Sequence, residues 1–242
     1  MMTTETGDSS ALDTAEKSFL CLTETPPGLS LDGRAVHAAL PQRQVGLREL
    51  RVLLSQPALP VRARDAVWNA VLSERDEPAW LIGAAGLAVA PLRHIAAVLT
   101  TPAVERADTE GEVLTGFVAQ ARRTSLPTRE APLLWAGLRA GLALAAQDAA
   151  QLGFGVWLPV VAAIPPSPWW PGPRRVLDQA QRAGLVTEVE QRLLVETRLE
   201  GRSLAGVDPD AAEELAVWRA KAESRLAQAI IEGRFAPKGL LR

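Results

Sequence analysis

The feature that most constrains the fold is the return of apolar residues at helical spacing. Leu134, Leu138, Leu142 and Ala145 fall on one side of a predicted helix, as expected of a helix that packs against a core. Ala and Leu dominate the composition, Tyr is absent, and β-branched residues seldom alternate with polar ones. These patterns predict an all-α fold class.

The chain is long enough for one large or two small domains. It has 242 residues, and 48% of them are hydrophobic, which is ample for a core. The first large apolar region is predicted to form five helices, over residues 43–56, 61–75, 78–100, 109–123 and 130–151.

Four regions follow from the distribution of charge and proline. Residues 1–30 hold five acids and one base without a sustained period, so we expect a disordered acidic tail. Residues 31–151 form the first helical domain. Residues 152–173 are rich in Pro and Trp and free of charge, and we interpret them as a linker. Residues 174–242 form the second helical domain.

The uncharged region is a poor membrane span. Its apolar part, residues 153–164, is 12 residues long, and a bilayer needs about 20. Several prolines beside it would also interrupt a helix. A linker between two helical domains is therefore the better interpretation.

The second domain carries clear signals for helix ends. Thr187 and Glu190 have the spacing of a reciprocal capping box, so a helix should begin there. Gly201 permits a left-handed exit, and Ser203 can cap the next helix. A long helix is predicted to begin at the Asp208–Pro209 pair and to end near residue 233.

One side of that long helix is predicted to face the core. The apolar stripe steps by three and four residues and consists of Leu215, Trp218, Ala222, Leu226 and Ala229. Lys221 and Arg225 then lie four residues apart on a flank, where they could grip successive phosphates. The alternative is a solvated flank whose charge is offset by nearby carboxylates.

The residues do not predict an enzyme. His37 and His94 belong to no metal-ligand spacing, so no metal site is expected. Gly83 and Gly86 lack the strand–turn–helix context of a dinucleotide loop, and no nucleophile motif is present. We therefore expect no catalytic residue and no cofactor. Cys21 is the single cysteine and no secretion signal is evident, which favours a cytoplasmic location.

Two segments carry a resemblance to a known family. RADTEGEVLTGFVAQARR, residues 106–123, resembles the helix of region 2 in bacterial RNA polymerase sigma factors of the extracytoplasmic-function type. EVEQRLLVETRLEGRSLAGV, residues 188–207, resembles the start of sigma region 4, which leads into a helix-turn-helix, and residues 219–230 resemble the end of its recognition helix. The order of these segments resembles that of a divergent sigma factor of actinobacterial type.

The resemblance implies partners and site residues. Region 2 would meet RNA polymerase and the minus-ten promoter element, with Asp108 and Glu110 facing the polymerase clamp. Region 4 would meet duplex DNA at the minus-thirty-five element. Its DNA-facing candidates are Arg202, Arg219, Lys221 and Arg225. The implied function is transcriptional regulation without catalysis.

The chain also departs from the family pattern. Gly111, Leu114 and Thr115 stand where the family has Asp, Gln and Glu, and the segment after Ser203 is about three residues shorter. Residues 174–235 hold ten bases and eleven acids, without the basic surplus that strengthens DNA binding. The alternative function is a helical protein-interaction module that keeps the sigma scaffold without promoter recognition, and its partner would be another regulatory protein.

Overall fold

A computed structural model describes residues 9–24, 26, 28–100, 105–151 and 172–238. Within these ranges the chain is mostly helical. Its α-helices are Ala11–Glu24 (α1), Gly33–Val36 (α2), Leu47–Ser55 (α3), Val61–Ser73 (α4), Pro78–Leu99 (α5), Arg106–Arg123 (α6), Glu130–Gln151 (α7), Pro173–Arg182 (α8), Glu188–Leu194 (α9), Leu204–Val207 (α10) and Ala212–Ile231 (α11). The helical character predicted from the apolar spacing is confirmed, and the observed bounds of α4 to α7 lie within three residues of the predicted ones.

A small two-stranded sheet accompanies the helices of the predicted all-α class. Ser30–Asp32 (β1) pairs antiparallel with Gln44–Gly46 (β2), and Leu31 lies opposite Val45. The turn into α2 requires glycine, because a Cβ on Gly33 would stand 2.1 Å from the Pro41 carbonyl oxygen. Strands of three residues are too short to show a period of two in the sequence.

The chain divides into two compact units. Unit 1 contains the described residues up to Ala96 and residues Arg106–Leu138. Unit 2 contains the described residues between Ala97 and Glu105 and those from Arg139 onward. The division falls inside α7, between Leu138 and Arg139. Apart from residues 172 and 173, the predicted linker lies outside the described residues.

Helix α1 corrects the expectation of a disordered tail over residues 1–30. Leu12 and Phe19 on this helix are fully buried in unit 1. A Cβ on Gly86 of α5 would stand 2.1 Å from the Phe19 ring, so the two helices approach closely. Burial of two large apolar side chains outweighs the acidic composition that predicted disorder.

The acids of α1 are paired with bases from other helices of unit 1. Glu16 accepts hydrogen bonds from Arg51 of α3 at 3.0 Å and from Arg93 of α5, and Asp13 accepts one from Arg93 at 2.6 Å. The Arg51 guanidinium also lies 5.0 Å from the centre of the Phe19 ring. The charge that looked unpaired in the sequence is therefore compensated by residues distant along the chain.

Helix α5 is long and apolar enough to cross a membrane, the one such helix among the described residues. In the structure 56% of its most apolar window is buried, as expected of a helix inside a protein core. Leu92, Ile95 and Ala96 contribute to that core and are fully buried.

In unit 2 the predicted helix signals are confirmed. The Thr187 hydroxyl accepts a hydrogen bond from the Glu190 N–H at 3.2 Å, and Glu190 accepts one from the Thr187 N–H at 2.8 Å. A π-helical segment, Val195–Leu199, then leads to Gly201, whose φ of 72° is left-handed. Ser203 caps α10 by accepting a hydrogen bond from the N–H of Gly206 at 3.0 Å.

The long helix α11 begins later than predicted. Asp208 accepts hydrogen bonds from the N–H groups of Asp210 and Ala211, which forms a turn in front of the helix and not its first residue. The helix therefore starts at Ala212. It ends as predicted, since Gly233 follows with a φ of 73°.

The predicted position of Trp218 is wrong. Ala222, Leu226 and Ala229 are fully buried, but Trp218 is 43% exposed at the edge of the buried stripe. Ile230 fills the core side instead and is 1% exposed. At 100° per residue, position 218 falls at the boundary between the buried stripe and the exposed side of the helix, so the indole is only partly covered.

Candidate functional site

The candidate DNA-contacting residues of unit 2 lie on and around α11. At 100° per residue, the residues exposed along α11 share one face of about 140°, opposite the buried stripe. This exposed face of α11 consists of Glu213, Glu214, Val217, Trp218, Lys221, Arg225 and Gln228. Its charge is ordered along the axis, with acids near the helix start and bases further on.

Arg225 is engaged within unit 2. Its Nη2 lies 2.7 Å from both carboxylate oxygens of Glu190, and its Nε donates to the Leu185 carbonyl oxygen at 3.3 Å. Burial raises the pKa of Glu190, but the hydrogen bonds from Arg225 and Thr187 outweigh it, so that pKa lies below its usual value. A phosphate that bound Arg225 would compete with this carboxylate.

Arg202 is also engaged, beside the Gly201 turn. Its Nη1 lies 2.7 Å from the Glu196 carboxylate, and its Nη2 donates to the Gly206 carbonyl oxygen at 2.9 Å. The side chain therefore ties the π-helical segment to α10. Half of the Arg202 side chain remains exposed.

Arg219 lies on the other side of α11, away from the exposed face. It is half-buried, and burial together with the nearby Arg198 holds its pKa below the usual value despite Glu223. Glu223 is 3% exposed and accepts two hydrogen bonds from Arg198, at 2.7 and 3.1 Å. This position corrects the expectation that Arg219 shares a DNA-facing surface with Lys221.

Lys221 is exposed, and no described residue forms an ion pair with it. It lines a shallow surface depression of about 410 Å³ with Val217, Ala220, Ser224 and Arg225. Val217 is 51% exposed, so the depression has an apolar wall and a cationic rim. The structure thus brings Lys221 and Arg225 together, as the spacing predicted.

In unit 1 the structure separates the two candidate polymerase contacts. Asp108 is exposed at the first turn of α6. Glu110 is 2% exposed, and its carboxylate accepts hydrogen bonds from the Ser10 hydroxyl and from Arg106 at 2.7 Å. This corrects the expectation that Glu110 faces a partner, because Ser10 at the start of α1 covers its carboxylate.

The loop between α6 and α7 is fastened to α4 by polar contacts. The Asn69 side chain donates to the Thr128 carbonyl oxygen at 3.0 Å and accepts from the Thr128 N–H at 2.6 Å. Within the loop, the Thr124 and Thr128 hydroxyls lie 3.2 Å apart. These contacts hold the end of the loop before α7 against α4 and join it to the start of the loop.

Three exposed arginines lie at the two ends of this loop, and their positions in the sequence did not mark them as site residues. We call them the α6–α7 arginines: Arg122, Arg123 and Arg129. Asp65 of α4 lies 3.4 Å from the Arg129 guanidinium and compensates its charge. The adjacent pair at the end of α6 was the visible signal in the sequence.

No group of three or more metal-ligating side chains that could hold an ion occurs in the described ranges. Comparisons with known proteins identify no relative: no family model matches the chain, and neither does any curated protein or solved structure.

Proposed function

We propose that the protein is a sigma-factor-like transcriptional regulator that binds duplex DNA, RNA polymerase or both without catalysis. The observation that supports DNA binding most is the exposed pair of Lys221 and Arg225 on α11. This helix follows the Gly201 turn and the short α10, the order of a helix-turn-helix. Two cations four residues apart on one helix face can contact phosphates.

The test is the salt dependence of duplex binding. Fluorescence anisotropy of a labelled duplex is measured with the wild-type protein and with the Lys221→Ala, Arg225→Ala double variant. Each phosphate contact contributes about 0.9 to the slope of log affinity against log salt, so the slope should fall by about two contacts. A double variant that binds as tightly as wild type would refute the role of this face.

The matched control removes two other exposed arginines of unit 2, Arg175→Ala with Arg192→Ala. Net charge changes equally in both double variants. If the control weakens binding as much, general charge and not the α11 face determines affinity.

A further variant uses the Glu190–Arg225 pair. Glu190→Gln keeps a side chain that can close the capping box, but it removes the carboxylate that competes with phosphate. Duplex affinity should therefore rise. Unchanged affinity would mean that Arg225 does not contact DNA.

The exposed α6–α7 arginines support a second DNA contact, in unit 1. Arg122→Ala with Arg123→Ala should weaken binding to a duplex that carries a single-stranded bubble more than binding to a plain duplex. An equal loss of affinity for the bubble duplex and the plain duplex would mean that these arginines contribute only non-specific electrostatic attraction.

The second candidate function is a helical protein-interaction module that has lost promoter recognition. The exposed Val217 and Trp218 support it, as do the internal ion pairs of Arg202 and Arg225. A binding assay with purified core RNA polymerase distinguishes the two candidate functions through the predicted contact in unit 1. Loss of binding in Asp108→Ala would support a sigma-like contact, and no binding of wild-type protein to DNA or polymerase would favour the module.

A further inference from the structure

The exposed face of α11 carries an order of charge that makes it complementary to itself. Glu213 and Glu214 lie near the helix start, Val217 and Trp218 follow, and Lys221 comes next. Two such helices side by side in parallel would place acids against acids. Turned antiparallel, the acids of one copy meet the base of the other.

Distances along the helix agree with this arrangement. A two-fold axis between Val217 and Trp218 lies 3.5 residues from Glu214 and 3.5 residues from Lys221, about 5 Å in each direction at 1.5 Å per residue. Glu214 of each copy therefore stands opposite Lys221 of the other. Both copies use the same surface, as a two-fold interface requires.

Apolar surface lies at the centre of this arrangement. Val217 is 51% exposed and Trp218 is 43% exposed, and together they would pack on the same two residues of a second copy. The depression lined in part by Ala220 and Ser224 lies beside Val217 on the same surface. Tryptophan at the centre of an interface with charges at the rim is a frequent source of binding energy.

From these observations we propose that the protein self-associates through antiparallel pairing of α11 with α11 of a second copy. Arg225 is held by Glu190, so Lys221 provides the intermolecular base. One helix face is small for a protein interface, so the dimer is weak and concentration-dependent. This inference goes beyond the proposed function and needs neither DNA nor polymerase.

Sedimentation equilibrium of the full chain, without nucleic acid, tests the proposal. Wild-type protein should shift from monomer toward dimer as its concentration rises, and Trp218→Ala should abolish the shift. A wild-type protein that remains monomeric over the whole range, or associates into species larger than a dimer, would overturn it.

Charge exchange makes the test specific for antiparallel pairing. Lys221→Glu replaces the intermolecular base with an acid, and Glu213→Lys with Glu214→Lys replaces the facing acids with bases. Each variant alone should be monomeric, and an equimolar mixture should form heterodimers at least as tightly as wild type. Failure of the mixture to associate would contradict the pairing, whatever the single variants do.

The control is Lys238→Glu, which changes net charge as Lys221→Glu does but lies outside α11. It should dimerise like wild type. Circular dichroism checks that every variant keeps its helix content. Because no DNA is present, loss of dimerisation is separate from failure of the proposed DNA-binding function.

Discussion

Helix α6 of unit 1 carries the candidate polymerase contacts, and helix α11 of unit 2 carries candidate DNA contacts. The two helices differ in whether the charged side chain is buried or exposed. On α6, Glu110 is buried beneath Ser10 and bound by Arg106. On α11, Lys221 is exposed and no described residue forms an ion pair with it. A charged residue in a matching motif can therefore contact a partner only if the neighbouring helices leave its side chain exposed.

The largest expected effect comes from breaking the packing of α1, which covers α6. Phe19→Ala removes a fully buried ring that packs closely against Gly86. Loss of a buried Phe costs about 3–5 kcal/mol, so the urea midpoint should fall strongly. Lys17→Ala, at an exposed position of the same helix, should leave it nearly unchanged. Equal midpoints for Phe19→Ala and wild type would mean that α1 is not packed on unit 1.

Glu130 at the start of α7 gives unit 1 a pH dependence. Burial, helped by the nearby Asp65 and opposed by Arg64 and Trp68, raises the pKa of Glu130 to about 7. The folded state therefore binds a proton more tightly than the unfolded chain does. The contribution of Glu130 to the free energy of unfolding is fully present below about pH 4.5 and is lost as pH rises toward 7. The loss amounts to at most about 3 kcal/mol.

Chemical denaturation at a series of pH values measures this effect. Glu130→Gln should remove the decline between about pH 4.5 and 7, so the variant should be more stable than wild type at pH 8. Glu112→Gln, at an exposed position of α6, is the control and should keep the wild-type slope. A slope that survives in Glu130→Gln would assign the titration to another group.

The sequence predicted local structure well, because local signals determine it. The apolar periods gave the bounds of α4 to α7, and the Thr187–Glu190 spacing gave the start of α9. These features depend on residues three or four positions apart. They need no knowledge of the rest of the chain.

The errors arose where distant residues decide. The acids of α1 indicated disorder, but Arg51 and Arg93 compensate them from helices far along the chain. Motif matching placed Glu110 at the surface, and Ser10, a hundred residues earlier, covers it. Helical spacing identifies one face of α11 but not its edge, so Trp218 was assigned to the core and is exposed.

Helices α6 and α11 should respond differently to the loss of a charged side chain. Glu110→Ala leaves the Ser10 hydroxyl without its acceptor and opens a small cavity, so it should cost about 1–3 kcal/mol. Lys221→Ala removes an exposed charge and should change stability by less than about 0.5 kcal/mol. Thermal melts of both variants and wild type measure the difference. Equal small effects would mean that Glu110 does not fasten α1 to α6.

The smallest effect concerns the cap of α9, which also positions the partner of Arg225. Thr187→Ala removes the hydroxyl that accepts from the Glu190 N–H, and loss of such a cap costs about 0.5–2 kcal/mol. Glu190 keeps its bond to Arg225 in this variant, so the loss should lie near the lower end. Glu190→Ala removes both the cap and the ion pair and should cost more than Thr187→Ala, whereas Thr187→Ser should melt like wild type. If Thr187→Ala lowers the melting temperature more than Glu190→Ala does, the Glu190–Arg225 ion pair contributes nothing to the stability of unit 2. Arg225 would then be as available to a ligand as Lys221.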